Sequence, residues 1–103
     1  MIARIWHGQT SAAHADAYLE FLLRRAVPDY ASVSGNRGVY VLRRMAGDDA
    51  HFLTLTDWDS RGAIKAFAGS DISRAKYYPE DRRFLLEFEP AVEHYELYAD
   101  KNG

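Results

Sequence analysis

Apolar positions in this chain change period several times, and each change marks an element. Ile2, Arg4 and Trp6 alternate with Ala3, Ile5 and His7, a period of two that predicts a first strand ended by Gly8. From about Ser11 to Ala26 the period becomes helical. Ala15, Tyr18, Leu19, Leu22 and Ala26 form one apolar stripe, with Thr10 or Ser11 as cap, Glu20 and Arg24 paired outside, and Pro28 as the stop. Turn residues at 34–38 lead into a second strand, "VYVLRRM", and "AGDD" turns the chain into a third, His51 to Trp58. Ser60 caps a second helix with Ala63, Ile64 and Phe67 inward and Gly69 at its end. A short third helix is expected from Asp71 to about Tyr77, then a helical turn at "PEDRR". "FLLEFEP" fits no single element, and Val92 to Tyr98 alternates as a last strand. The tail 100–103 is expected to fray.

The order strand, helix, strand, strand, helix, strand predicts an α+β fold. It is the ferredoxin-like split βαβ arrangement, an antiparallel sheet with both main helices on one face. The other face should then be polar in a monomer. Here it is apolar whichever parity faces the helices: Ile2 and Trp6 oppose Ala3 and Ile5, Tyr40 and Leu42 oppose Val39 and Val41, and Phe52 and Trp58 oppose Leu53 and Leu55. An apolar open face predicts a partner, most simply a second copy packed sheet to sheet as a homodimer. On this reading Trp6 faces the second subunit and His7 faces the cavity between sheet and helices.

Composition narrows the function classes. With 103 residues the chain makes one domain, expected over 1–99. A net charge of −2 and no basic cluster argue against nucleic-acid binding. No apolar run nears the roughly 18 residues of a membrane helix, and no leader-like segment is seen, so the expected location is cytoplasmic. The absence of cysteine removes disulfides and thiolate chemistry. No two histidines share metal-ligand spacing, so no metal is expected. Seven Tyr, five Phe and two Trp instead supply aromatic pocket walls.

Three stretches, "IARIWHG", "FLTLTDWDSRGAIKAFAGSD" and "AKYYPEDRRFLLEFEPAVEHYEL", resemble the antibiotic biosynthesis monooxygenase family across nearly the whole chain. The resemblance implies a dimeric α/β barrel, with functions that include cofactor-free oxygenases and heme-degrading oxygenases. The heme-degrading branch uses an Asn, a Trp and a His at places held here by His7, Phe67 and Tyr77, and none matches; no cofactor is therefore expected. The polyketide-type oxygenases use Trp, Asn, Tyr and Arg. Trp58 matches the first, while Thr54, Ile64 and a residue near Tyr78 stand at the others.

Cofactor-free oxygenation needs a base, donors for the resulting anion, and a dry apolar pocket. Histidine is the natural base near neutral pH. The expected set is His7 as base or polar anchor, Tyr77 and Tyr78 as donors, and Trp58 and Phe67 as walls. Arg37 is either an anchor for an anionic group or a turn residue in water. His94, mid-strand, is expected in the core or on the dimer face. The expected activity is monooxygenation of a small aromatic or quinol-like compound. A non-catalytic small-molecule-binding or stress-response protein, and an O2-independent isomerase or lyase, use the same pocket.

Overall fold

The computed structural model describes residues 1–99; the tail expected to fray, 100–103, lies outside the described residues. Strand β1 spans Ile2–Ser11, β2 Asn36–Ala46, β3 Asp49–Trp58 and β4 Glu93–Glu96. They form one antiparallel sheet in the order β2-β3-β1-β4. The β2–β3 hairpin closes at Gly47, whose φ of +61° is a backbone conformation that side chains other than glycine rarely adopt. Helices α1 (Ala15–Phe21), α2 (Val27–Ala31) and α3 (Arg61–Ala68) cover one face. The expected α+β, ferredoxin-like architecture is the one observed.

Pro28 does not stop the first helix. A π-helical stretch, Leu22–Ala26, joins α1 to α2, and the amide of Val27 bonds Leu22 O, five residues back. The helix therefore continues far enough to bury Tyr30.

The expected third helix is also absent. Pro79 forces the preceding Tyr78 into extended backbone (φ −101°, ψ 153°), leaving too short a run to nucleate a helix. Asp71 makes only a local turn with Ser73. The segment is held instead by backbone bonds to the chain before β4: Ala75 N–H to Pro90 O (3.0 Å) and Val92 N–H to Ser73 O (2.8 Å). Ser60 caps α3 as expected, accepting from Ala63 N–H.

The sheet faces are the reverse of the expectation for β1. Trp6 lies on the helix side, buried with Phe52, Trp58, Tyr18 and Leu22. His7, Ile5, Leu53, Leu55, Tyr40 and Leu42 lie on the open side by register. Both faces carried enough apolar residues to serve as the core. The helices cover the parity that holds Phe52 and Trp58, because those large rings fill the layer between sheet and helices. Among the described residues, no helix is long and apolar enough to cross a membrane.

Candidate functional site

A crevice lies between the sheet and the helices, walled by Trp6 from β1, Thr54 from β3, Tyr18 and Tyr30 from the helices, and Tyr78 and Asp81 from the segment after α3. Its open volume is about 10 Å³, room for about one water molecule. Tyr18 donates to Asp81 Oδ1 (2.8 Å), and the Tyr78 amide donates to Asp81 Oδ2 (2.6 Å). Tyr30 OH and Thr54 Oγ1 share a hydrogen bond at 3.1 Å. Burial raises the pKa of Tyr18, Tyr30 and Tyr78, so these phenols stay protonated near neutral pH and act as donors. Burial also raises the pKa of the Asp81 carboxyl.

Cations ring these aromatics. Lys76 Nζ stands 4.2 Å above the Phe67 ring and pairs with Asp29 at 3.1 Å. Arg25 covers Tyr78 at 4.7 Å, and the Tyr78 hydroxyl donates to Asp29 at 2.5 Å. Burial pushes Asp29 upward, but the hydrogen bonds from Tyr78 and Lys76 outweigh it and hold its pKa below the usual value. Arg4 lies beside the same wall. Its guanidinium sits 5.5 Å from the Phe67 ring, which in turn stacks on Tyr30 at 4.4 Å. Across the strands Arg4 faces His94, which therefore shares the helix side of the sheet.

The structure separates the expected site residues. Tyr78, Trp58 and Phe67 lie on the helix side. Trp58 is fully buried and donates its indole N–H to Thr56 Oγ1 (2.8 Å). Tyr77 meets Trp6 edge to face at 6.2 Å and donates to Glu89 O (2.5 Å). Arg37 is exposed and paired with Asp59 (2.6 and 3.0 Å), remote from the crevice. His7 is on the open sheet face, not in the crevice. Its Nδ1 meets the Glu89 carboxylate and its Nε2 meets His51 Nδ1 at 2.9 Å, with the two imidazoles stacked 5.2 Å apart. A surface cavity of about 330 Å³ lies beside them, bordered by Leu42, Arg44 and Leu53.

Sequence reasoning did not single out Arg4, and it placed Trp6 on the dimer side. The available signal was parity: Arg4 and Trp6 share one face of β1, so a buried Trp6 carries Arg4 inside with it.

Solved structures share the fold. A protein of unknown function from Nitrosomonas europaea has 19% identity and a TM-score of 0.68, covering 99% of this chain and 93% of its own. The heme-degrader MhuD from Mycobacterium tuberculosis, solved with two hemes in its active site, has 21% identity and a TM-score of 0.58, covering 99% of this chain and 100% of its own. The crevice of the present chain does not fit heme. Its walls hold no imidazole to ligate the iron. His7 and His51 sit on the opposite side of the sheet. No curated protein sequence matches the chain. A sequence model described as antibiotic biosynthesis monooxygenase matches residues 1–76, and the chain belongs to that family.

Proposed function

We propose that the protein is a cofactor-independent monooxygenase acting on a small aromatic or quinol-like compound in the crevice between sheet and helices. The carrying observation is the wall of Trp6, Tyr18, Tyr30 and Tyr78 around a narrow, largely apolar crevice, which takes a substrate when Tyr78 swings aside. Flat aromatic substrates stack on such walls, and a carbanion survives there because water is excluded. For a substrate with a reactive methylene, one methylene and one dioxygen become one ketone carbonyl and one water. The methylene supplies both hydrogens of the water, and dioxygen supplies the oxygen of the ketone and of the water. The methylene carbon is oxidised, dioxygen is reduced, and no outside reductant is consumed. Tyr30, protonated and free to let Thr54 be the donor in their shared bond, is the proposed donor to the developing oxyanion, and Tyr78 joins it when its hydroxyl turns from Asp29.

Tyr78 also borders a solvent groove of about 910 Å³ with Tyr77, Pro79 and Arg82. Moving Tyr78 aside joins groove and crevice, so the Tyr77–Tyr78 segment is the proposed door. His7 stands on the other face, so this reading gives it no direct part in the chemistry. The open sheet face, with Tyr40 52% and Leu42 46% exposed, supports a homodimer through sheet-to-sheet packing.

The test is oxygen uptake by the purified, metal-free protein with anthrones, hydroxynaphthalenes and quinols, with Tyr78→Phe and Trp6→Ala beside the wild type. The expected result is one O2 consumed per ketone or quinone formed, reduced in both variants. Conversion without oxygen uptake points to an isomerase or lyase. Ligand-dependent thermal stabilisation without conversion points to a binding protein. Either result overturns the oxygenase reading.

A further inference from the structure

Three buried side-chain nitrogens among the described residues have no hydrogen-bond partner: Arg4 Nε, Trp6 Nε1 and His94 Nε2. All three residues project from the helix side of the sheet, within two positions of one another along β1 and across to β4. Buried polar atoms in folded proteins are nearly always paired, so three orphans on one patch require an explanation. Arg4 is the most demanding. It is 1% exposed and always charged; its Nη2 donates to Arg74 O at 3.0 Å and its guanidinium interacts with the Tyr30 hydroxyl, both neutral partners, while Nε has none. Among the described residues no carboxylate stands within ion-pair distance of it. An isolated buried cation is costly, and such groups are normally paired.

We propose that Arg4, with His94 beside it, is the binding site for an ionised oxygen of the ligand, and that the crevice therefore selects aromatic compounds bearing a carboxylate, phenolate or enolate. The guanidinium offers its free Nε–H in a planar fork suited to such an oxygen. The ring of the ligand lies against the aromatic wall formed by Trp6 and Tyr30. The anion supplies the charge that Arg4 lacks. His94 contributes through its unpartnered Nε2. Burial, Arg4 and Arg61 favour its neutral form while Glu93 opposes them, and an anion seated on Arg4 weakens the strongest of the opposing charges. This site rests on the crevice being the ligand pocket of the proposed function, but not on the reaction performed there.

The test uses hydroxynaphthoate and its neutral counterpart hydroxynaphthamide, which have the same ring and differ in charge. Binding to wild type, Arg4→Gln and Arg4→Lys is measured by isothermal titration at neutral pH, with folding checked by circular dichroism. Wild type is expected to prefer the anion by about tenfold or more, Arg4→Gln to lose that preference, and Arg4→Lys to retain much of it. In wild type, the His94 imidazole pKa followed by NMR should rise when hydroxynaphthoate is added and stay in place with hydroxynaphthamide. The comparison of the two ligands on wild type stands even if Arg4→Gln does not fold. Equal binding of anion and amide, binding of neither, or an anion preference that survives in folded Arg4→Gln overturns the proposal. Anion binding that follows Arg4 without oxygen uptake leaves this site standing and removes the oxygenase reading. Oxygen uptake with no charge preference does the reverse.

Discussion

The indole of Trp6 lies over Gly8, so close that a Cβ built on Gly8 would overlap Trp6 Cη2 and stand 2.8 Å from Cζ2. Glycine at position 8 is thus a packing requirement of the crevice wall. Gly8→Ala must push the indole out of its place. The expected cost is about 1–3 kcal/mol of stability, as for other overpacked sites. Urea denaturation of the variant measures it, and a change in tryptophan fluorescence should accompany it. An unchanged midpoint would mean that the indole has an alternative rotamer at no cost.

The same pair shows what the sequence made legible. Period-two alternation in "IARIWHG" defined the strand and put Trp6 and His7 on opposite faces. It did not say which face meets the helices, because both parities of all three long strands carry apolar residues. That choice is made by packing against Tyr18, Leu22 and Ile64, which lie far away in the chain. Arg4 reads locally as a surface charge, and only the burial of Trp6 reveals it as an inner residue. Pro28 reads as a helix stop because the π-helical stretch that absorbs it has no signature in the periodicity. Asp71 to Tyr77 carries a cap and helix-forming residues, but backbone bonds tie Ser73 to Val92 and Ala75 to Pro90 across the fold. The hairpin, the capped α3 and the "PEDRR" turn were legible because their determinants are local.

A ligand site built on an uncompensated charge should weaken the ligand-free protein. Arg4→Met removes the buried cation, keeps an unbranched apolar chain against Phe67, and gives up one hydrogen bond to Arg74 O. Loss of that bond costs about 1 kcal/mol, while removing an unpaired buried charge gains more. The expected net effect is a stabilisation of about 1 kcal/mol or more, seen as a higher thermal midpoint without ligand. A structural arginine would show the opposite sign. A melting temperature below wild type in Arg4→Met would therefore count against the charge being unpaired in solution.

Asp81 gives a pH dependence whose sign follows from its environment. Burial raises its folded pKa above the 3.8 of a free carboxyl. Between 3.8 and the folded value the native state binds the proton more tightly than the unfolded chain. The contribution to stability is thus fully present below 3.8 and is lost as pH rises through the folded pKa. Asp81→Asn keeps an oxygen acceptor for Tyr18 or the Tyr78 amide and has no charge to bury. It should flatten this slope and melt no lower than wild type near neutral pH. Asp81→Ala strands both donors and should cost about 2–3 kcal/mol at the acid end, the cost shrinking as pH rises because the variant has no carboxyl to ionise. Urea midpoints from about pH 4 to pH 8 for the three proteins distinguish these behaviours. A slope identical in wild type and Asp81→Asn would assign the pH dependence to another group.

The open face of the sheet makes the most accessible prediction. Ile5, Leu53 and Leu55 pair side by side across β1 and β3, and Tyr40 and Leu42 extend the patch onto β2. Tyr95 on β4, half exposed, continues it at the other edge. Helices cover only the opposite face, so this apolar area meets water in a single chain. Sedimentation velocity at micromolar concentration should give twice the mass of one chain. Leu55→Glu places a charge at the centre of the patch, where a facing copy would have to desolvate it, and should shift the mass to that of one chain while the crevice residues stay folded. Leu23, also exposed but on the helix surface, is the control: Leu23→Glu should leave the dimer intact. If Leu55→Glu remains dimeric, the two copies meet through another surface. The apolar sheet face would then have to be covered by something other than a second chain.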